Sequence, residues 1–303
     1  MKILRFDDNR IGVLKDGDRV VDVTDAVASH REKGPQNVME EIIAEFATYR
    51  DEFQGRASSE AGVPLSDVRL LAPIPRPSKC MAAFANYVDR SDRSRDDLPN
   101  EFFYKDTDLL APEGTVELPD IPPVLVYQPE AELAYVIGKS ARNVSQQDAM
   151  DHVFGYVPFF DISARGMTRR TTLLSKGQRT FGPCGPWITT KDEVEDPHNL
   201  DVRSWVNGEL RQDYSTKHMA NYIPEQIAWA TRFVSLRPGD VVATGTFHVG
   251  LGPLNDGDVL EIEIEGLGRA RWFAKGYGPR KDMEFTPGIT QVPTPEGGMT
   301  RVG

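Results

Sequence analysis

The sequence predicts a β-rich α+β protein, with a small N-terminal α/β domain over residues 1–72 and a larger, strand-dominated domain over 73–303. Three observations lead there. Strand-like segments dominate from Ser78 onward, and helical periodicity is confined to a few stretches, too scattered for a doubly wound sheet. Pro73, Pro75 and Pro77 mark a stiff, extended connection where the two units meet.

In the first domain, RIGVLKDGDRVVDVT reads as a hairpin, two alternating strands around an Asp16-Gly17 turn. A helix follows from about Asn37 to Phe53, with Met39, Ile42, Ile43, Phe46 and Tyr49 on one stripe. Beyond the prolines, SKCMAAFANY reads as a buried strand. The segment from Asp89 to Asp97, DRSDRSRDD, has charges of both signs and no apolar periodicity, so it is expected as a mobile surface loop without anchors. Strands are expected at Val116–Leu118 and Val124–Ile137, then a helix around Gln146–Val153 leading into the strand that holds Asp161. SWVNGELRQ is a hairpin whose Asn207-Gly208 suits a type I′ turn. Pro224 opens a helix expected to reach about Leu236. GDVVATGTF and DVLEIEIEGLGRARWFAK read as strands and turns. The tail from Gly278, rich in Pro, Gly and Thr, is expected to drape over the surface or a neighbouring subunit.

Three acidic residues carry the chemistry. Glu130 and Glu132, in PEAELAYVIG, are two apart and share a strand face. That face continues through Ala134 and Val136, and the opposite one reads Leu133, Tyr135, Ile137, so the strand is apolar on both sides and covered on both. Asp161 is hemmed by Phe159, Phe160 and Ile162. An E-x-E pair on an exposed strand is an ordinary solvated face. Three carboxylates in apolar settings, by contrast, cannot all stay charged without a neutralising partner, and a divalent cation supplies one. All-oxygen ligation favours Mg²⁺, Mn²⁺ or Ca²⁺ over zinc or copper. Three ligands leave about half an octahedral shell open, which suits a chelating substrate.

Composition narrows the partners. A formal charge of −11 argues against nucleic acid. No apolar run approaches a membrane span, and Met1-Lys2-Ile3-Leu4 leads at once into Arg5-Phe6-Asp7-Asp8 with no signal peptide, so a soluble, cytoplasmic-type protein is expected. The two cysteines, Cys80 and Cys184, have no metal or redox spacing and read as reduced and buried.

Several segments, in order, resemble the fumarylacetoacetate hydrolase family across roughly Pro73 to Lys275: Asn86-Tyr87, Phe103-Tyr104-Lys105, PEAELAYVIGK, GYVPFFDISARG, Lys176 followed by FGPCGPWITT, WVNGELRQ and LRPGDVVATGT. The resemblance implies a catalytic domain of packed, mixed β-sheets around a Mg²⁺ or Mn²⁺ site, and a homodimer. It implies chemistry on small 2-oxo or 2,4-dioxo acids: C–C hydrolysis, decarboxylation or isomerisation. On its motifs, Glu130, Glu132 and Asp161 are the metal ligands and Lys176 the catalytic lysine. Asn86, Tyr87 and Arg165 bind substrate, and Gly245-Thr246 form the loop whose backbone grips its carboxylate. A cation and a lysine beside a 2-oxo group both favour the enolate that forms as the neighbouring bond breaks.

The chain departs from the family pattern at its base. A histidine three residues past the tyrosine, and a glutamate three beyond, usually activate water; here those positions hold Arg90 and Arg93. Arginine cannot act as a base near neutrality. Either the base comes from elsewhere, with Asp89, Asp92, Asp96 and Asp97 at hand on the same loop, or the reaction needs none, as in decarboxylation or enol–keto isomerisation. Arg90 is suited to clamp a second substrate carboxylate. His248, just past Gly245-Thr246-Phe247, is a candidate replacement base. The remaining alternative is a non-catalytic member that keeps the metal pocket for ligand binding.

Overall fold

The N-terminal hairpin forms where its alternation places it. Strands β1 (Lys2–Phe6), β2 (Arg10–Lys15) and β3 (Arg19–Asp22) run antiparallel, and Asp16 and Gly17 take the positive φ of a tight hairpin loop, 52° and 85°. The computed structural model describes residues 1–121, 124–166 and 172–277, with short strands at 291–293 and 299–301. The tail expected from Gly278 therefore lies largely outside the described residues.

The single helix expected over Asn37–Phe53 is two helices, α1 (Pro35–Ala44) and α2 (Phe46–Ser59), broken at Glu45 with φ −108° and ψ 25°. Helix α1 buries Val38, Met39, Ile42 and Ile43. The break re-aims the second helix, so that Phe46 meets Phe154 edge-on at 5.1 Å and Tyr49 stacks on Phe53 at 5.7 Å. No glycine or proline marks position 45; tertiary packing sets the break.

Short strands β4 (Val63–Pro64) and β5 (Leu70–Leu71) complete this unit. Then come β6 (Cys80–Phe84), β7 (Glu101–Tyr104), β8 (Thr115–Leu118) and the long pair β9 (Val126–Ile137) and β10 (Val153–Arg165). Helix α3 (Leu173–Lys176) and β11 (Ile188–Thr190) precede the hairpin β12 (Asp201–Val206) and β13 (Glu209–Ser215). Its Asn207 and Gly208, at φ 52° and 78°, form the expected two-residue turn. Helix α4 (Ile223–Ala230), β14 (Val241–Ala243), β15 (Val259–Ile264) and β16 (Gly268–Gly276) follow.

Two mixed sheets and few helices bear out the predicted class. One sheet runs β4-β3-β2-β1-β11-β10-β9-β14-β6-β7, with β5 beside β1 and β14 parallel to β6; the other runs β13-β12-β15-β16-β8. The N-terminal strands thus continue the large sheet through the β1–β11 pairing. Two helical expectations are corrected. Residues 146–153 form only a 3₁₀ turn, Ala149–His152, because the Ser145 hydroxyl donates to Asp148 (2.7 Å) in a local turn and the His152 carbonyl accepts the Gly138 amide (2.7 Å). Helix α4 stops at Ala230 rather than Leu236, since Thr231 accepts the Asn143 amide on its carbonyl (2.9 Å) and the Val144 amide on its hydroxyl (3.1 Å).

Every residue of β9 and β10 is buried, as the doubly apolar pattern required. Ala131, Leu133, Tyr135 and Ile137 face one core, shared with Leu260, Ile262 and Trp272 of the smaller sheet. Ala134 and Val136 face the other, shared with α1 and α2. It is on this second face that the site is built.

Candidate active site

The face that is apolar at Ala134, Val136, Val157 and Phe159 turns charged toward the other end of the same ladder. Asp161 pairs directly with Glu130 across β9–β10, and Phe159 with Glu132, so all three carboxylates project from one surface. They are 3%, 1% and 0% exposed for Glu130, Glu132 and Asp161, and an oxygen from each lies within 4.8 Å of the others.

Three buried cations meet them. Lys176, at the end of α3, donates to Glu130 Oε2 (2.7 Å), Asp161 Oδ2 (2.6 Å) and Ser163 Oγ (2.5 Å). Lys105, one residue past β7, donates to Asp161 Oδ1 and to the Ile162 carbonyl (3.2 Å). Arg165 pairs with Glu130 Oε1 and reaches Gln128 (3.2 Å). Burial pushes the Glu130 carboxyl up, but Lys176, Arg165 and His248 outweigh it and hold it below its usual range. Glu132 is the reverse case. Burial, then repulsion from Asp161 and Glu130, raise it well above the carboxylate range, and its described polar contact is the Gly245 amide at 2.8 Å. Gly245 aims that N–H with φ at 87°, a conformation glycine adopts without strain.

The donor set fits a hard divalent cation: three anionic oxygen donors, two on one strand and one opposite. Each carboxylate oxygen has two lone pairs, so the contacts to lysine and arginine leave coordination capacity. Glu132, short of positive partners, is where the apoprotein is least satisfied.

The predicted site residues divide. Glu130, Glu132, Asp161, Lys176 and Arg165 are brought together, Arg165 spending its guanidinium on Glu130. Thr246 donates to the Ala131 carbonyl (2.7 Å) and accepts from Gln212 (2.8 Å), which fastens the Gly245-Thr246 loop to β9. Asn86 staples two loops, donating to Thr244 O (2.8 Å) and accepting the Asn221 amide (2.8 Å). The buried Tyr87 hydroxyl has no hydrogen-bond partner among the described residues. Arg90 is not brought to the centre: exposed, it chelates Asp92, with Nε to Oδ1 at 2.8 Å.

His248 is 8% exposed, and its Nδ1 lies 2.8 Å from Asp89 Oδ2. Burial pushes Asp89 up, and the hydrogen bond and charge of His248 overrule it, keeping the carboxylate ionised. The loop that supplies Asp89 is also better anchored than its composition suggests. Arg95 stacks on Tyr222 at 4.3 Å and donates to Ala220 O (2.6 Å) and Glu225 (2.9 Å), and Leu98 is buried.

Sequence reasoning assigned no role to Lys105, Ser163 or Gln212, and named Asp89 only among four loop acids. Ser163 was within reach, because it lies two residues from Asp161 and two from Arg165 on one strand face. A lone buried lysine such as Lys105 leaves no spacing signal.

Comparison with known proteins agrees with this architecture. The model for the fumarylacetoacetate (FAA) hydrolase C-terminal domain matches residues 79–272. The chain is 35% identical to the mitochondrial oxaloacetate tautomerase fahd2 of Xenopus laevis over 288 residues, 88% of each. It is 33% identical to maleylpyruvate hydrolase of Aquipseudomonas alcaligenes, over 88% of this chain and 97% of that one. The crystal structure of maleylpyruvate hydrolase from Sphingobium sp. SYK-6 with manganese(II) and pyruvate superposes with a TM-score of 0.82 at 36% identity, covering 91% of this chain and all of that one. A domain match over 79–272, together with these relatives along most of the length, places the chain in the fumarylacetoacetate hydrolase family.

Proposed function

We propose that this protein is a Mg²⁺- or Mn²⁺-dependent hydrolase that cleaves a C–C bond in a 2,4-dioxo acid of the acylpyruvate kind, with His248 as general base and Asp89 as its positioning partner. The observation that carries this is the 2.8 Å His248–Asp89 contact, which supplies a base although the loop positions where one was sought hold Arg90 and Arg93. Glu130, Glu132 and Asp161 would hold the ion, as the manganese-bound relative supports. When bound, the ion polarises the 2-oxo group and offsets negative charge on its oxygen. Lys105, Lys176 and Arg165 already pair with Glu130 and Asp161, so an added divalent ion would bring positive charge that suits an anionic oxo acid.

With Asp89 accepting from Nδ1–H, His248 takes a water proton at Nε2. The hydroxide adds to the acyl carbonyl, the bond from that carbon to the pyruvyl methylene breaks, and its electron pair becomes an enolate. Lys176 keeps a positive charge near that enolate, and the imidazolium returns its proton to the methylene carbon, giving a carboxylic acid and pyruvate.

Likeness to an oxaloacetate tautomerase favours one second reading, in which the same pair shuttles a proton between enol oxygen and adjacent carbon without cleavage. A base so placed weakens the case for a reaction that needs none. We further propose a homodimer, for which exposed Leu173, Leu174, Trp229 and Phe233 offer apolar surface; sedimentation as a monomer would contradict it. Among the described residues, no helix is long and apolar enough to cross a membrane.

The test is acylpyruvate cleavage and enol-oxaloacetate ketonisation, each with Mn²⁺, in the wild type, His248→Asn and Asp89→Asn. His248→Asn is expected to lower kcat by about 10²- to 10⁴-fold with Mn²⁺ affinity retained. An unchanged kcat removes His248 from the mechanism, and activity in the second assay alone selects the tautomerase.

A further inference from the structure

We propose that a β-bulge in β13, at Arg211 and Gln212, positions His248, so that the alignment of the base is set by the smaller sheet and not by the strands that carry the carboxylates. Both are positioning residues in this role, and the inference rests on the reading of His248 as base.

Strand β13 gains one residue against its partner. Trp205 of β12 pairs with Leu210 and Ser204 with Gln212, which leaves Arg211 as the extra residue between them. A bulge of this kind breaks the alternation and re-aims the side chains around it. Here both aim at the segment that carries His248. Upstream of the histidine, the fully buried Gln212 donates from Nε2 to the Thr246 hydroxyl (2.8 Å) and to the Phe247 carbonyl (2.7 Å). Tyr214, two residues on, stacks its ring on Phe247 at 5.8 Å. Downstream, the chain crosses Arg211 too closely for any side chain. A Cβ at Gly250 would lie 1.7 Å from the Arg211 carbonyl oxygen, and one at Gly252 would lie 2.2 Å from Nη1 of its guanidinium. Gly250 also takes a φ of 90°, open to glycine without strain. One strand therefore grips the chain on both sides of His248, while the histidine ring itself bonds Asp89 on a different loop.

The same glutamine sets where that segment lies relative to the carboxylates. The pairing of β14 with β9 ends at Ala243 and Ala134, and side chains take over along the edge of β9 beyond it. The Ala131 amide donates to Gln212 Oε1 (3.0 Å), and the Ala131 carbonyl accepts from Thr246 (2.7 Å) and Tyr214 (2.6 Å). Ala131 is the residue between Glu130 and Glu132. The Ser204 hydroxyl also donates to Oε1 (3.1 Å), so the buried amide is engaged at both ends. The offset between base and carboxylates thus runs through one side chain, and a misplacement of about 1 Å costs about 10²-fold in rate.

The experiment uses the full-length protein. Gln212→Met and Gly250→Ala are each made alone and combined with His248→Asn. Acylpyruvate cleavage is measured with Mn²⁺, and the tautomer of His248 is read without substrate from its ring ¹⁵N shifts at alkaline pH. The wild-type ring is expected to be held as one tautomer, with its proton on Nδ1 facing Asp89. Each single variant should mix the tautomers and lower kcat by about 10- to 100-fold, with a smaller change in KM. In the His248→Asn background the same substitutions should alter kcat by less than about twofold, because the group they position is gone. Gly250→Ala, whose new methyl meets β13 alone, serves where Gln212→Met does not fold. Equal losses in both backgrounds would make the bulge a general support and overturn the inference, as would an unchanged kcat and tautomer in Gly250→Ala. If the wild type cleaves no acylpyruvate, the proposed function falls by itself and the tautomer decides the positioning: mixing in the variants upholds it, and a single tautomer throughout overturns it.

Discussion

The carboxylate centre and the proposed base are held in contrasting ways. Glu130, Glu132 and Asp161 stand on two neighbouring strands that pair from Val126–Arg165 to Ile137–Val153, inside a sheet covered on both faces. His248 and Asp89 stand on two loops joined by one side-chain hydrogen bond, with Arg95 anchoring the loop that carries Asp89. A metal ligand must hold its place against like-charge repulsion, and the ladder over-determines it. A base must admit substrate and change protonation state, and loops allow both. The carboxylates are fixed by a continuous strand ladder, and the proposed base by a few side-chain contacts between loops.

The largest effect should come from the centre. Asp161→Ala leaves Lys105 and Lys176 without their shared carboxylate in a buried setting, a loss of about 3–5 kcal/mol by the usual cost of orphaning a buried charge. Calorimetric unfolding without metal, and Mn²⁺ titration, should show a lower midpoint and no specific binding. Unchanged stability and metal content would break the contrast between the regions. A smaller effect is expected at the loop. Arg95→Ala removes a partly exposed ion pair and a ring contact together worth about 1 kcal/mol. Hydrogen exchange should rise over residues 89–98 and kcat/KM should fall about fivefold, a change of that size, with Mn²⁺ affinity intact. Loss of metal binding in this variant would show that the two regions are not separable.

The smallest effect is a control outside both. Glu41 accepts hydrogen bonds from Lys33, Ser29 and Tyr49, which outweigh burial and lower its carboxyl to about 2. A depressed acid contributes stability that is present above its unfolded value and lost as pH falls toward the folded one. Glu41→Gln should therefore flatten the decline in stability between the ordinary carboxylate range and about pH 2 while leaving activity near neutrality untouched. Altered catalysis would mean that the helical unit is coupled to the site.

What could be read from the sequence follows the same division. Period-two patterning placed Glu130 and Glu132 on one covered strand face, and the ladder sets Asp161 directly opposite Glu130 on the neighbouring strand, because strand registers propagate side-chain direction over many residues. The hairpins at Asp16-Gly17 and Asn207-Gly208 were legible because positive φ restricts residue choice. The Glu45 break, the short turn at Ala149–His152 and the early end of α4 were not, since each is set by contacts with Phe154, His152 or Thr231 that local periodicity does not encode. His248 and Asp89 were each named as possible bases, yet 159 positions separate them and only the fold joins them. Lys105 lay in a quoted motif without a role, because a charge buried against a distant partner looks in sequence like any surface lysine.

One feature of the large sheet bears on how the protein can be cut. Strand β11 is sandwiched between β10 and β1, so the first strand of the chain closes what would otherwise be an outer row of unpaired amides and carbonyls at Ile188 and Thr189. The matched family domain begins only at residue 79 and invites truncation there. A chain begun at that point would keep every carboxylate of the site and yet present a bare, apolar template for another copy to add to, and self-association through that row would be the first consequence of removing the N-terminal strands.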